Sequence, residues 1–162
     1  MKFLTYTEQR DTNQKFGFKI KDHIIDVNLA AKWVNEDHND NTFLSIPGDL
    51  KSALAEWDTF FPLLQDLEKT ISNGILDSLA QNESELVILL PIPDPPAFRD
   101  FYAFEQHVRA ARKLRGLEMH PDWFKLPIFY FSNPNCCYGH GAEISYPSNT
   151  DELDFELEFS VI

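Results

Sequence analysis

The run Pro91-Ile92-Pro93-Asp94-Pro95-Pro96 constrains the fold more than any other stretch of the chain. Each proline lacks a backbone N–H, fixes its own φ and pushes the preceding residue out of the helical region. The run is therefore neither helix nor central strand, and the path through it is extended. Immediately before it lies Leu86-Val87-Ile88-Leu89-Leu90, a continuous apolar run of the length of a buried strand. We place a domain boundary just ahead of that strand, which gives domains 1–85 and 86–162. A chain of 162 residues accommodates two small domains with a real core.

Residues 1–85 read as a small α+β domain. Phe16, Phe18 and Ile20 alternate with polar residues, the period of a half-buried strand. Lys21-Asp22 makes a tight turn, and His23 to Val27 is the return strand. Asp26 or Asn28 caps a short helix carrying Leu29, Ala30, Trp33 and Val34. Residues 35–42 read as a polar loop, with His38 among acids. Pro47-Gly48-Asp49 starts a helix with Asp49 as its cap. Leu50, Leu54 and Trp57 follow at helical spacing, and Pro62 is expected to interrupt. A second helical stretch carries Leu63, Leu64, Leu67 and Ile71 and ends at Asn73-Gly74. These apolar positions are core, and no residue in this domain carries chemistry.

Composition removes several classes of function. The formal net charge is −12, which argues against nucleic acid or an anionic membrane as a partner, because both reward basic patches. No apolar run reaches the roughly 18 residues that a membrane-spanning helix needs, and Met1 is not followed by a secretory signal pattern. The only two cysteines, Cys136 and Cys137, are adjacent and imply no disulfide framework. A reducing compartment fits, so the expectation is a cytoplasmic, soluble protein.

Two pieces of the second domain hold the chemistry-bearing residues. Asp100, Tyr102 and His107 place a carboxylate, a phenol and an imidazole within eight residues. From about Phe101 to Leu114 the pattern is helical, with Phe101, Phe104, Val108, Ala111 and Leu114 on one stripe. Asp100 fits as its cap, and His107, seven residues on, falls near the same side. The second piece is Asp154-Phe155-Glu156-Leu157-Glu158. Leu153 to Ile162 reads as a strand with Asp154, Glu156 and Glu158 on one face and Leu153, Phe155, Leu157 and Phe159 on the other. Glu156 and Glu158 would then lie roughly 6–7 Å apart along the strand, within reach of one hard divalent cation. An acidic, solvent-facing strand edge fits the same pattern.

Asp100-Phe101-Tyr102 with Gln106-His107, then Pro121-Asp122-Trp123 leading to Leu126-Pro127, then Leu153-Asp154-Phe155-Glu156-Leu157-Glu158 together resemble the fumarylacetoacetate hydrolase family. The resemblance covers roughly residues 86–162, and the five-residue gap from Tyr102 to His107 is similar to that of the fumarylacetoacetases. It implies a mainly-β catalytic domain beginning at residue 86, behind the small N-terminal domain. It implies that Asp100, Glu156 and Glu158 bind Mg²⁺ or Ca²⁺, that His107 is the general base and that Tyr102 contacts substrate. For Asp100 to Tyr102 it requires extended chain, with the helix starting only after Tyr102.

The implied reaction is hydrolysis of a carbon–carbon bond in a small-molecule β-diketo acid, in aromatic amino acid catabolism, by a homodimer. Relatives isomerise or decarboxylate other keto acids. In the family a fourth metal carboxylate, a substrate-binding lysine and an acid that orients the histidine come later in the chain. By that pattern they would fall beyond Ile162. The sequence is thus read as part of a longer protein or as a shortened homologue, with apolar surface left exposed. A non-catalytic folding or binding module is the alternative to an enzyme.

Overall fold

The computed structural model describes residues 1–73 and 76–162. It is a mixed α+β protein whose chain forms two compact units, Met1–Pro93 with Tyr138–Ala142, and Asp94–Cys137 with Glu143–Ile162.

The first unit begins with an antiparallel meander of β1 (Phe3–Glu8), β2 (Lys15–Ile20) and β3 (His23–Asp26). The turn between β2 and β3 passes through Lys21 at φ 53°, in the left-handed region. Helix α1 (Val27–His38) follows directly, capped by the Asp26 carboxylate, which accepts from the Leu29 N–H at 2.8 Å. The polar segment expected as loop from residue 35 is helical as far as His38, because the buried stripe through Ala30, Ala31 and Val34 carries the last turn with it. The His38 side chain lies outside what the structure describes.

Helix α2 (Leu50–Ala55) opens where Asp49 accepts from the Ser52 N–H at 2.8 Å. Helix α3 (Trp57–Ser72) contains Pro62 without interruption. The exposed Pro62 ring costs one backbone bond, but Leu64, Leu67 and Ile71 are fully buried on one stripe, and that burial outweighs it. Asn73 closes α3, donating its N–H to the Lys69 carbonyl. Gly74, read above as part of the stop, lies outside the described residues.

Short helix α4 (Leu76–Leu79) leads to strand β4 (Ala80–Asn82), and β5 (Leu86–Ile88) completes a five-stranded sheet of order β4-β3-β2-β1-β5. The run 86–90 is thus not a fully buried strand opening a second domain. It pairs antiparallel with β1 through Tyr6↔Ile88 and Glu8↔Leu86, at a sheet edge, and Val87 is half exposed. The compact first unit accordingly continues to Pro93.

The helices cover one face of this sheet, where Phe16, Phe18, Ile25, Val34, Leu64 and Leu67 belong to one core cluster. On the other face Tyr6 is fully buried and donates its phenol to Asp26 Oδ2 at 3.1 Å. Gly17 makes room for that ring: a Cβ there would meet Tyr6 Cε1 at 3.0 Å and the Ile25 carbonyl oxygen at 2.9 Å. Burial, then the neighbouring Asp26 charge, pushes the Tyr6 phenol above its ordinary range. At the sheet margins Lys15 pairs with Glu8 and Lys19 with Glu83. The Lys19 ammonium holds the Glu83 carboxyl below its usual range.

The second unit is built on a three-stranded antiparallel sheet of order β7-β6-β8, from β6 (Arg99–Phe101), β7 (Phe129–Phe131) and β8 (Phe159–Val161). One helix, α5 (Glu105–Leu114), follows β6. Among the described residues of this unit only Pro95 and Val108 are buried. No helix among the described residues is long and apolar enough to cross a membrane.

Candidate active site

Strand β6 sets the site. Asp100 is its middle residue, opposite Tyr130 of β7 and Ser160 of β8, so the three side chains form a row on one face of the sheet. The Ser160 hydroxyl donates to Asp100 Oδ1 at 3.3 Å. The flanking residues take the other face, where the Arg99 guanidinium sits 4.2 Å from the Phe131 ring centroid.

Asp100 is therefore not the cap of the following helix. Phe104 holds that position, with no side-chain cap, and α5 starts at Glu105. The extended path through Asp100 that the resemblance requires is present as β6, because pairing on both edges and the prolines before it hold the chain straight. Tyr102 lies in the link between β6 and α5. Its ring meets the His107 imidazole edge-on, with centroids 5.6 Å apart and planes at 89°.

The acidic segment is not the strand that its alternation suggests. Among the described residues only Phe159–Val161 of this segment pairs, with Arg99–Phe101, and residues 153–158 have no ladder partner there. Without a sheet to pack on, Leu153, Phe155, Leu157 and Phe159 are exposed. Glu156 and Glu158 nevertheless both turn toward the imidazole. His107 Nε2 is 3.4 Å from Glu156 Oε1 and 3.7 Å from Glu158 Oε1. Their surroundings differ sharply, since the Glu156 side chain is 68% exposed and that of Glu158 only 7%. The second oxygen of Glu158, Oε2, is buried with no hydrogen-bond partner among the described residues.

Two cavities share this glutamate pair. One, of about 240 Å³, is lined by Asp100, Phe101, Tyr102, Ile128, Phe129 and Tyr130 together with Glu156 and Glu158. The other, of about 350 Å³, adds His107, Phe104, Phe155 and Leu157 to the same pair. All five residues singled out in the sequence thus border one region of the second unit.

The donor set suits a hard divalent cation, being three carboxylates of which one has a buried, unpartnered oxygen. Among the described residues, however, no three His, Cys, Asp or Glu side chains converge as a metal-holding group. The fit is one of chemical type, with Glu156 and Glu158 turned to His107.

Ser160, Tyr130 and Trp123 border the site without having been assigned to it from sequence. Tyr130 and Ser160 could have been found from strand register, as the residues facing Asp100. Trp123 donates its indole N–H to the Tyr102 carbonyl at 2.8 Å, a contact across 21 residues with no periodic signature.

Residues 97–162 match the model of the fumarylacetoacetate (FAA) hydrolase C-terminal family, and the match spans the whole of this site. No curated protein matches the chain. Chemistry of the hydrolase, isomerase or decarboxylase type is what such a domain carries. The likeness to that family covers residues 97–162, less than half of the chain.

Proposed function

We propose that this chain carries the site of a metal-dependent hydrolase that cleaves a carbon–carbon bond in a β-diketo acid such as fumarylacetoacetate. One observation carries the reading: His107 Nε2 lies within 3.4 Å and 3.7 Å of two glutamates some fifty residues downstream. Asp100, Glu156 and Glu158 would hold Mg²⁺ or Ca²⁺. When bound, that cation supplies Lewis acidity toward the diketone oxygens.

His107 takes a proton from water as general base. The hydroxide attacks one carbonyl carbon, and the tetrahedral adduct collapses with cleavage of the adjacent C–C bond. The electron pair of that bond leaves as an enolate, which the protonated His107 returns to the keto product. Tyr102, edge-on to the imidazole, lines the cavity that takes the substrate.

The test is turnover of acetylpyruvate, a small β-diketo acid, by the full chain with Mg²⁺ or Ca²⁺. Formation of acetate and pyruvate supports the reading. Absence of both products under conditions where the cation binds would defeat it. Release of CO₂, or a rearranged keto acid, would place the chemistry with decarboxylation or isomerisation. A second reading, a binding module without turnover, is favoured because no three His, Cys, Asp or Glu side chains among the described residues converge as a metal-holding group. It expects calorimetry to register no Mg²⁺ or Ca²⁺ binding that Glu156→Ala removes.

A further inference from the structure

We propose that Trp123 is a positioning residue that sets Tyr102 against His107. The inference rests on reading Tyr102 and His107 as site residues.

Tyr102 belongs to neither β6 nor α5, so neither element's hydrogen-bond ladder fixes it. Its two backbone groups are held by another stretch of chain. The Tyr102 N–H donates to the Ile128 carbonyl at 3.0 Å, and the Tyr102 carbonyl accepts from Trp123 Nε1 at 2.8 Å. Trp123 has a single polar atom, a donor, and spends it on a carbonyl that the turn from strand to helix leaves without a ladder partner.

The clamp is itself rigid. The N–H groups of Lys125 and Leu126 both donate to the Asp122 carbonyl, at 3.0 and 2.9 Å. One residue past Ile128, Phe129 pairs with Phe101. With both peptide groups of Tyr102 held, the direction of its Cα–Cβ bond is set, and from that fixed point the ring meets His107 edge-on. A packing role explains Trp123 poorly, because the indole is only half-buried and this unit buries little besides Pro95 and Val108.

Nuclear Overhauser contacts between the Tyr102 ring and the His107 imidazole, measured in the full chain, test the proposal. Trp123→Phe keeps an aromatic body and removes the N–H. The expected result is an unchanged far-UV circular dichroism spectrum with the Tyr102–His107 contact weakened several-fold. Trp123→His, which restores an N–H donor, should recover part of it. An undiminished contact in a folded Trp123→Phe protein overturns the proposal. Should Trp123→Phe fail to fold, benzothienylalanine at position 123 replaces the N–H by sulfur at nearly the same shape, and the same comparison decides.

With acetylpyruvate, the positioning role expects kcat to fall roughly tenfold in Trp123→Phe, with KM held within about twofold. A change in KM alone counts against it. If the unsubstituted protein turns over no diketo acid, the hydrolase reading fails, while the ring-to-ring contact still decides the role of Trp123.

Discussion

Glu158 points one carboxylate oxygen at His107 Nε2 from 3.7 Å and buries the other without a hydrogen-bond partner among the described residues. A buried carboxylate oxygen left unpaired is costly, and a cation is one of the few groups that satisfies it. The Glu156 side chain, by contrast, is 68% exposed and open to water.

We therefore expect Glu158→Gln to lower Mg²⁺ or Ca²⁺ affinity by at least about tenfold, because it deletes a charged oxygen ligand at nearly constant volume. Asp100→Asn should do the same. Isothermal titration calorimetry reads both, and isotherms that match those of the unsubstituted chain would remove Glu158 and Asp100 from the ligand set.

His107→Asn should cut the rate of diketo-acid hydrolysis by about 10²- to 10⁴-fold, the range for loss of a general base. Cation binding should survive, since His107 is not among the proposed ligands. If steady-state rates with acetylpyruvate stay within a few-fold, water is being activated elsewhere.

Tyr6 makes the first unit sensitive to alkali. Burial and the Asp26 charge raise the folded-state value of its phenol above the unfolded one. Below about pH 10 both states hold the proton and the stabilisation is fully present. As pH rises past that point the unfolded chain loses its proton first, and stability declines by up to about 1.4 kcal/mol per pH unit. Urea midpoints between pH 9 and 11 should fall more steeply for the unsubstituted chain than for Tyr6→Phe. Parallel curves would mean that the phenol titrates alike in both states.

Gly17→Ala should destabilise the first unit by about 1–3 kcal/mol, since its Cβ would sit 2.9 Å from the Ile25 carbonyl oxygen and 3.0 Å from the Tyr6 ring. Backbone cannot yield there without breaking the β2–β3 ladder. Chemical denaturation monitored by Trp fluorescence checks this, and an unchanged midpoint would show that the sheet accommodates the methyl group.

The elements legible in the sequence were those whose signals are local. The alternation of Phe16 and Phe18, the Asp26 and Asp49 caps and the strand at Phe129–Phe131 all appear at or within a residue or two of their expected places. Local signals failed where pairing decides. Residues 153–158 alternate like a strand, yet pair with none of the described residues. Residues 86–88 have the composition of a central strand, yet lie at an edge. Pro62 looked like a break because its cost is local, while the burial that outweighs it comes from the whole stripe. At the site, Tyr102, Glu156 and Glu158 all lie beside His107, although the sequence holds them in two separate stretches. The Trp123–Tyr102 bond and the Asp100–Ser160 pair depend on registers that no single stretch encodes.

The short return of Tyr138–Ala142 to the first unit has a practical side. Gly139 lies so close to β5 that a Cβ would meet the Ile88 carbonyl oxygen at 2.7 Å, so this return is fitted to the strand and admits no larger residue without a shift. The backbone consequently passes from one unit to the other three times, at Pro93, Cys137 and Ala142. A protease nick anywhere between Asp94 and Cys137 produces two pieces that each own a share of both units. Cutting the chain once therefore never yields a fragment that corresponds to either one.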